Sequence, residues 1–186
     1  AVPTTWEELN ALTDAMIADG YTPWSVGIES GPATGWPATD WLEDIMLRIH
    51  PPAVYDRWIA GTVPFDGPRF HDAVDYLAEL WFRDGAVLGG RRGIVETNFG
   101  DAVVALTTDP PRAVMHRQAG FIVNFLPEGG AEVGPVLDLF YLPPIDPDMG
   151  RPVLGAGDIA CPLRDRPEVR AAMRFLSSGW STKAWI

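Results

Sequence analysis

Apolar positions along this chain recur at two different periods, and the switches between them set out its elements. Trp6, Leu9, Leu12, Met16 and Ile17 repeat every three or four residues, the spacing of one helix face. The stretch opens on Thr5-Trp6-Glu7-Glu8, a capping box in which the Thr5 hydroxyl accepts from the Glu8 amide and the Glu8 carboxylate reaches back toward Thr5. Gly20 supplies the left-handed position that ends the helix. Residues 22–28 then read as a short strand, and a loop rich in Gly, Ser and Pro over 29–37 leads into a second helix over 38–49. Trp41, Leu42, Ile45, Met46 and Ile49 form its apolar stripe. Asp40, Glu43, Asp44 and Arg48 form an opposite, solvated face, with Asp44 and Arg48 at the favourable i, i+4 spacing.

Residues 52–60 and 68–83 predict two more helices, each opened by a proline that the first turn tolerates and closed by Gly61 or Gly85. Beyond them the pattern changes. Gly89-Gly-Arg-Arg-Gly93 reads as a turn, 100–107 as a further helix, and 114–125 and 137–142 as extended, buried segments. Residues 153–160 predict a strand and turn, and 167–177 an amphipathic helix with Val169, Met173 and Leu176 on one side. Strands interleaved with helices give an α/β lobe, helix-rich and built around a small sheet. The chain opens close to a helix cap and stops at Trp185-Ile186 inside an apolar pattern, so it is expected to be one lobe of something larger.

Composition narrows the chemistry. The 186 residues suffice for one domain or a large lobe with a sizeable core. An apolar fraction of 47% with 19 glycines and 18 prolines suits a globular fold with many punctuated connections. The net charge of −11 sets 25 acids against 14 bases, and the arginines are scattered singly or as the pair Arg91 and Arg92. A nucleic-acid partner, which demands clustered Lys and Arg against phosphates, is therefore not expected. The same charge repels an anionic membrane surface. Cys161 is the only cysteine, so no intrachain disulfide forms and a thiolate metal site has no ligand set.

Catalytic templates find no footing. His50, His71 and His116 lie in neither HxxxH nor HExxH spacing, the glycine run at 89–93 matches neither a P-loop nor GxGxxG, and no GxSxG elbow occurs. Glu43 and Asp44 are adjacent on a helix and point about 100° apart, so they do not flank one glycosidic bond. Asp146 and Asp148 lack the twelve-residue loop of a calcium site. No cofactor is implied, and the chain is expected to bind rather than to catalyse.

Aromatic residues remain, at 11% of the chain with eight tryptophans. Sugars present an apolar C–H face that stacks on such rings, while acids and amides take the hydroxyls. Trp6, Trp41, Trp58 and Trp81 sit on apolar helical stripes and read as core. Trp36 differs: it stands in a Gly-rich loop at the mouth of a helix, beside Pro37 and four residues before Asp40, where a ring and a carboxylate can face one cleft.

Several motifs, in order, carry a resemblance: Pro3-Thr-Thr-Trp-Glu-Glu-Leu9, Ala33-Thr-Gly-Trp-Pro-Ala-Thr-Asp-Trp-Leu-Glu-Asp44, Thr97-Asn-Phe-Gly-Asp-Ala102, Ala113-Val-Met-His-Arg-Gln-Ala-Gly-Phe121 and Pro152-Val-Leu-Gly-Ala-Gly-Asp158. Over nearly its whole length the chain resembles the C-terminal lobe of ABC-type extracellular carbohydrate-binding proteins, in the alpha-glucoside-like branch. The resemblance implies a type II periplasmic-binding-protein-like fold in which two lobes close on a sugar at a hinge, and a closed form recognised by the transmembrane subunits of an ABC permease. It implies an extracytoplasmic location, in the periplasm or lipid-anchored at the outer face of the cell membrane. It implies that Trp36 and Asp40 line the cleft and that Phe121 stands where the family commonly stacks an aromatic, often Trp, on the sugar. Arg117 and Gln118 become hydrogen-bond candidates, and Gly155, Gly157 and Asp158 match a glycine-bearing turn that approaches the ligand. The family's N-terminal lobe has no counterpart in these residues. A glycoside hydrolase fragment and a self-assembling interaction domain with aromatic anchors are the alternatives.

Overall fold

A computed structural model describes residues 1–127, 134 and 137–184. They divide into two compact units, Ala1–Leu154 and Gly155–Ile186. The seven α-helices of the described residues are α1 (Trp6–Ala18), α2 (Trp36–Ile49), α3 (Pro52–Ile59), α4 (Pro68–Trp81), α5 (Gly90–Glu96), α6 (Phe99–Ala102) and α7 (Pro167–Leu176).

In the first unit, α1 begins where the capping pattern puts it: the Glu8 amide donates to the Thr5 hydroxyl at 3.2 Å. The return contact lands one residue earlier than expected. The Glu8 carboxylate chiefly takes the Thr4 amide at 2.7 Å and the Thr4 hydroxyl at 2.8 Å, which holds its pKa below the ordinary range. At the other end Gly20 adopts φ +83°, and the Gly20 and Tyr21 amides donate to the carbonyls of Ile17 and Met16. This double closure satisfies the last carbonyls of the helix.

The expected strand after α1 is a single buried extended stretch, Pro23 to Gly27, at the centre of the unit. Trp24 forms isolated parallel bridges with Val87 on one side and Met115 on the other, and Glu29 bridges Asn98. The small sheet predicted from the sequence is represented, among the described residues, by isolated bridges rather than by strands. A segment hydrogen-bonded on both flanks and covered by helices must be apolar throughout, as parallel strands are. Ser25 is buried here because its hydroxyl donates to the Ala102 carbonyl at 2.6 Å.

Around this segment the core is built on indoles. Trp24, Trp41 and Trp81 meet edge to face in a row, with centroids 5.7 and 5.8 Å apart, and the Trp24 indole N–H donates to the buried Thr13 hydroxyl at 3.2 Å. Leu9, Ile45, Met46, Leu77 and Leu80 fill the space between α1, α2 and α4. Trp6, Trp41 and Trp81 are buried, and Trp58 is half-buried against the same core.

Four expectations are corrected by the packing. Asp44 and Arg48 do not lie on a solvated face: they are 7% and 2% exposed, because Arg48 donates to the carbonyls of Leu142 and Pro143. The run at 89–93 is the start of α5, closed by Gly90 donating to the Val87 carbonyl. Residues 120–125 form an exposed or half-exposed 3₁₀ turn rather than a buried strand, and of residues 137–142 only Leu142 is buried. Helix α2 starts at Trp36, two residues before the sequence suggested.

The second unit consists of an exposed irregular stretch at 155–166, then α7 and a 3₁₀ turn at Ser181–Ala184. The strand and turn expected over 153–160 are absent from it and from the residues before it. Val169 and Met173 are half-buried in an open groove of about 530 Å³ against Pro162 and Leu163, whereas Leu176 is exposed. Trp185 and Ile186, where the sequence suggested a continuing helix, lie outside the described residues.

Glycine contacts give a direct check on this packing. A Cβ on Gly27 would stand 2.7 Å from the Thr97 carbonyl oxygen and 2.8 Å from that of Asn98, both backbone atoms that cannot step aside. Gly27→Ala is expected to destabilise the fold by about 1–3 kcal/mol in urea unfolding, the range for overpacking. Gly155→Ala, where nothing lies within 4 Å of the new methyl, is expected to stay within about 0.5 kcal/mol of the parent. Equal midpoints for the two variants would contradict the close approach at Gly27.

Candidate functional site

The end of the central segment brings two distant aromatic residues together. The Ile28 carbonyl accepts from the Gly35 amide at 2.9 Å, and the Glu29 carbonyl accepts from the Phe99 amide at 3.0 Å. Gly35, with φ 109°, is the residue immediately before α2, so Trp36 occupies the first helical position with Pro37 next. On the other side the Asn98 side chain caps α6 by accepting from Gly100, which places Phe99 at the first position of that helix. The Glu29 carboxylate ties both loops together, accepting from the Gly31 amide at 2.6 Å and from the Asn98 side-chain amide at 2.7 Å. Those donors hold its pKa below the ordinary range.

Two more rings complete the group from the 3₁₀ turn at Gly120–Phe125. Trp36 lies 5.1 Å from Phe99 and 5.8 Å from Phe121 between ring centroids, and Phe125 lies 5.2 Å from Phe99. Phe121 and Phe125 remain 40% and 43% exposed, so the rings form a surface rather than a core. Gly100 allows the approach, because a Cβ there would come within 2.3 Å of the Phe125 ring. Trp36 and Phe121, singled out from the sequence, are thus brought together. Phe99 and Phe125 were not singled out, although Phe99 lies inside the Thr97-Asn-Phe-Gly-Asp motif.

Asp40 follows one turn after Trp36 on α2. Burial raises its carboxyl pKa, an effect that outweighs the opposing pull of Arg117 and is reinforced by Glu43 and Asp44. Among the described residues no donor reaches its side chain. Glu43, a turn further along, accepts from the Tyr55 hydroxyl at 2.8 Å, and burial together with that bond pushes the Tyr55 phenol up to about 12. Trp36, Asp40 and Glu43 recur at i, i+4 and i+7, one stripe of the helix.

Arg117 is turned inward. Its Nε and Nη2 donate to Asp44 Oδ2 at 3.1 and 2.7 Å, Nη2 also donates to the Asp40 carbonyl at 3.1 Å, and the guanidinium lies over the Trp41 ring, 5.5 Å from its centroid. Gln118 is half-exposed, with its side-chain oxygen accepting from the Ala119 amide at 2.8 Å. His116, half-buried beside them, donates from Nδ1 to the Ser25 carbonyl at 2.8 Å, and burial holds its imidazole pKa down. Gly155, Gly157 and Asp158 belong to the second unit and are exposed. Neither glycine has a positive φ, and a Cβ on either meets nothing within 4 Å, so the tight glycine turn expected there is corrected to an open irregular stretch. Among the described residues no three His, Cys, Asp or Glu side chains gather as metal ligands, and no helix is long and apolar enough to cross a membrane.

The helix-rich lobe with a parallel extended centre resembles the fold of a solved solute receptor. The bacterial solute receptor AcbH, described as having an exclusive substrate preference for β-D-galactopyranose, superposes on the chain with a TM-score of 0.67 at 26% identity, over 81% of this chain and 35% of that one. In sequence, the chain is 48% identical over 178 residues to the osmoprotective compounds-binding protein GgtB of Synechocystis sp., covering 95% of this chain and 42% of GgtB. It is 42% identical over 187 residues to the alpha-glucosides-binding periplasmic protein AglE of Rhizobium meliloti, covering 100% of this chain and 41% of AglE. No protein-family model matches. The chain is similar to one part of these solute-binding proteins and spans less than half of their length.

The raised pKa of Asp40 has a consequence for stability. Its folded pKa lies above its unfolded value, so the protonated carboxyl favours the fold at low pH and that contribution is lost as pH rises through the folded pKa. At neutral pH the ionised, desolvated group opposes folding. Asp40→Asn is expected to raise the urea midpoint at pH 7, with the gain shrinking as the pH is lowered toward the carboxylate range. A lower midpoint at pH 7 would show that Asp40 has a stabilising partner.

Proposed function

We propose that this chain is the C-terminal lobe of an extracytoplasmic carbohydrate-binding protein that delivers an alpha-glucoside or related oligosaccharide to an ABC importer. The observation that carries the reading is the aromatic surface of Trp36, Phe99, Phe121 and Phe125 standing one helical turn from the half-buried carboxylate of Asp40, which no donor among the described residues reaches. Phe121 and Phe125, each about two-fifths exposed, offer an apolar face to a pyranose, and a carboxylate that no donor among the described residues reaches offers its oxygens to sugar hydroxyls.

In this reading the fold is that of a type II periplasmic-binding protein, and an N-terminal lobe of comparable size supplies the facing wall. Gln118 contributes its amide nitrogen to the sugar. Closure of the two lobes creates the form that the transmembrane permease subunits recognise, so binding energy becomes a population shift. No cofactor and no covalent step are required, and nucleic acid has no role. The alpha-glucosides named for the periplasmic relative favour this sugar class over a monosaccharide such as that of AcbH.

In the full-length protein, Trp36→Ala and Phe121→Ala are each expected to weaken binding of an alpha-glucoside by more than about 1 kcal/mol, the scale of one aromatic stacking contact, as read by calorimetry. Unchanged affinity in both would remove the aromatic surface from the site. The 186-residue chain on its own is expected to bind maltose or trehalose weakly or undetectably, because a pocket ordinarily buries about 70–90% of its ligand. Submicromolar affinity of the isolated chain would contradict the two-lobe reading, and turnover of an aryl glucoside would favour a hydrolase instead.

A further inference from the structure

The segment that carries Phe121 is fastened to the fold unevenly. Up to His116 it is held by the central stretch: the Met115 amide donates to the Pro23 carbonyl at 2.8 Å, the Ser25 amide donates back to the Met115 carbonyl at 2.9 Å, and His116 Nδ1 reaches the Ser25 carbonyl. From Gln118 to Leu126 the backbone bonds are local, Ile122 to the Ala119 carbonyl and Leu126 to that of Val123. Between these regimes stands Arg117, whose side chain crosses to α2 and grips Asp44 and the carbonyl of Asp40.

What Arg117 grips is itself immobile. The second oxygen of the Asp44 carboxylate is paired with Arg48 Nη1, and Nη1 also donates to the Asp44 carbonyl at 2.9 Å. The other donors of Arg48 engage the carbonyls of Leu142 and Pro143. A carboxylate with both oxygens engaged by guanidinium groups in a buried site cannot swing, and the fork geometry of arginine fixes direction as well as distance. Arg117 therefore ties its segment to α2 four residues before Phe121, while Trp36 and Asp40 sit on α2 itself. Its side chain is only 15% exposed, which leaves little of it for a ligand.

We propose that Arg117 is a positioning residue rather than a ligand contact: anchored on the Asp44–Arg48 pair, it sets the separation of Phe121 from Trp36 and so fixes the aromatic surface in the arrangement that a pyranose ring stacks on. This rests on the sugar-binding reading for its ligand, and on the geometry alone for the positioning. Removal of Arg117 leaves Asp44 paired with Arg48, so the core is not left with a lone buried charge.

Two measurements test it. In the ligand-free chain, proton NMR contacts between the Phe121 and Trp36 rings, 5.8 Å apart between centroids, are expected in the parent and lost or strongly weakened in Arg117→Met. Their persistence would overturn the proposal whatever the ligand is. In the full-length protein, Arg117→Met is expected to weaken maltose or trehalose binding about tenfold, and Arg117→Lys by less, since lysine keeps the charge but not the fork. In a Phe121→Ala background the Arg117→Met loss is expected to fall below about twofold, because the group being positioned is gone. An equal loss in both backgrounds would mean direct ligand contact or a general structural effect, and would overturn the proposal. If Arg117→Met does not fold, the same comparisons are made with Arg117→Lys, with the ring contacts weakened and the affinity loss again dependent on Phe121. A parent that binds no glycoside would count against the proposed function, and the ring contacts would still decide the role of Arg117.

Discussion

One buried extended segment organises the larger unit, because its backbone groups can be satisfied only by neighbours on both sides. Trp24 donates to the Ala86 carbonyl and accepts from Leu88, while Pro23 and Ser25 exchange bonds with Met115. A buried amide or carbonyl left without a partner costs about as much as a lost hydrogen bond, so these flanking chains are fixed in register as strictly as strands in a sheet. The same logic runs to the end of the segment. Ile28 and Glu29 accept from Gly35 and Phe99, and this pair of bonds delivers Trp36 and Phe99 to one place from positions more than sixty residues apart. The candidate site is thus the exit of the central segment, and its close backbone approach at Gly27 is part of the same construction.

Much of the helical frame was legible because its signals are local. The Thr5 cap, the Gly20 stop and the apolar stripes of α1, α2 and α4 depend on residues within one or two turns of each other. Trp36 was legible as something other than core for a similar reason, since a large ring in a glycine-rich approach to a helix is out of place there, and it lies half-buried beside Phe99 and Phe121. What failed was everything that depends on a distant partner. Asp44 and Arg48 satisfy the pattern of a solvated ion pair, and only the passage of Leu142 and Pro143 over Arg48 turns them into a buried anchor. Gly89 to Gly93 carries the marks of a turn, yet the chain closes into α5, with Gly93 required because a Cβ would meet the Leu88 carbonyl oxygen at 2.2 Å.

The run at 114–125 shows how composition misleads at an exposed aromatic surface. Its β-branched and aromatic residues satisfy a buried strand, and Met115 is indeed buried and bridged. Past Gln118, however, the same residue types line a surface: Phe121, Val123 and Phe125 are each about two-fifths exposed in a 3₁₀ turn. Pattern reading assumes that apolar residues seek the interior, and it errs where they are held out for a ligand or partner. Exposed apolar rings gathered on one patch, unlike scattered ones, ask for such an explanation. Asp40 departs from the rule in the opposite sense, as a half-buried carboxylate that no donor among the described residues compensates.

Trp41 joins the interior to that surface. It meets Trp24 and Trp81 edge to face in the core, and on its other side it lies beneath the Arg117 guanidinium. Side chains packed on both sides have few alternative rotamers, so the position of Trp41 is set by the indole row, and Arg117 is confined between that ring and the Asp44 carboxylate. A binding surface that must hold rings within a fraction of an ångström needs supports whose own conformations are locked. Here the lock is continuous, from the bonded central segment through Trp24 and Trp41 to Arg117 and then to Phe121. Rigidity of the aromatic surface is therefore inherited from the core and not generated by the exposed turn that carries two of its four rings.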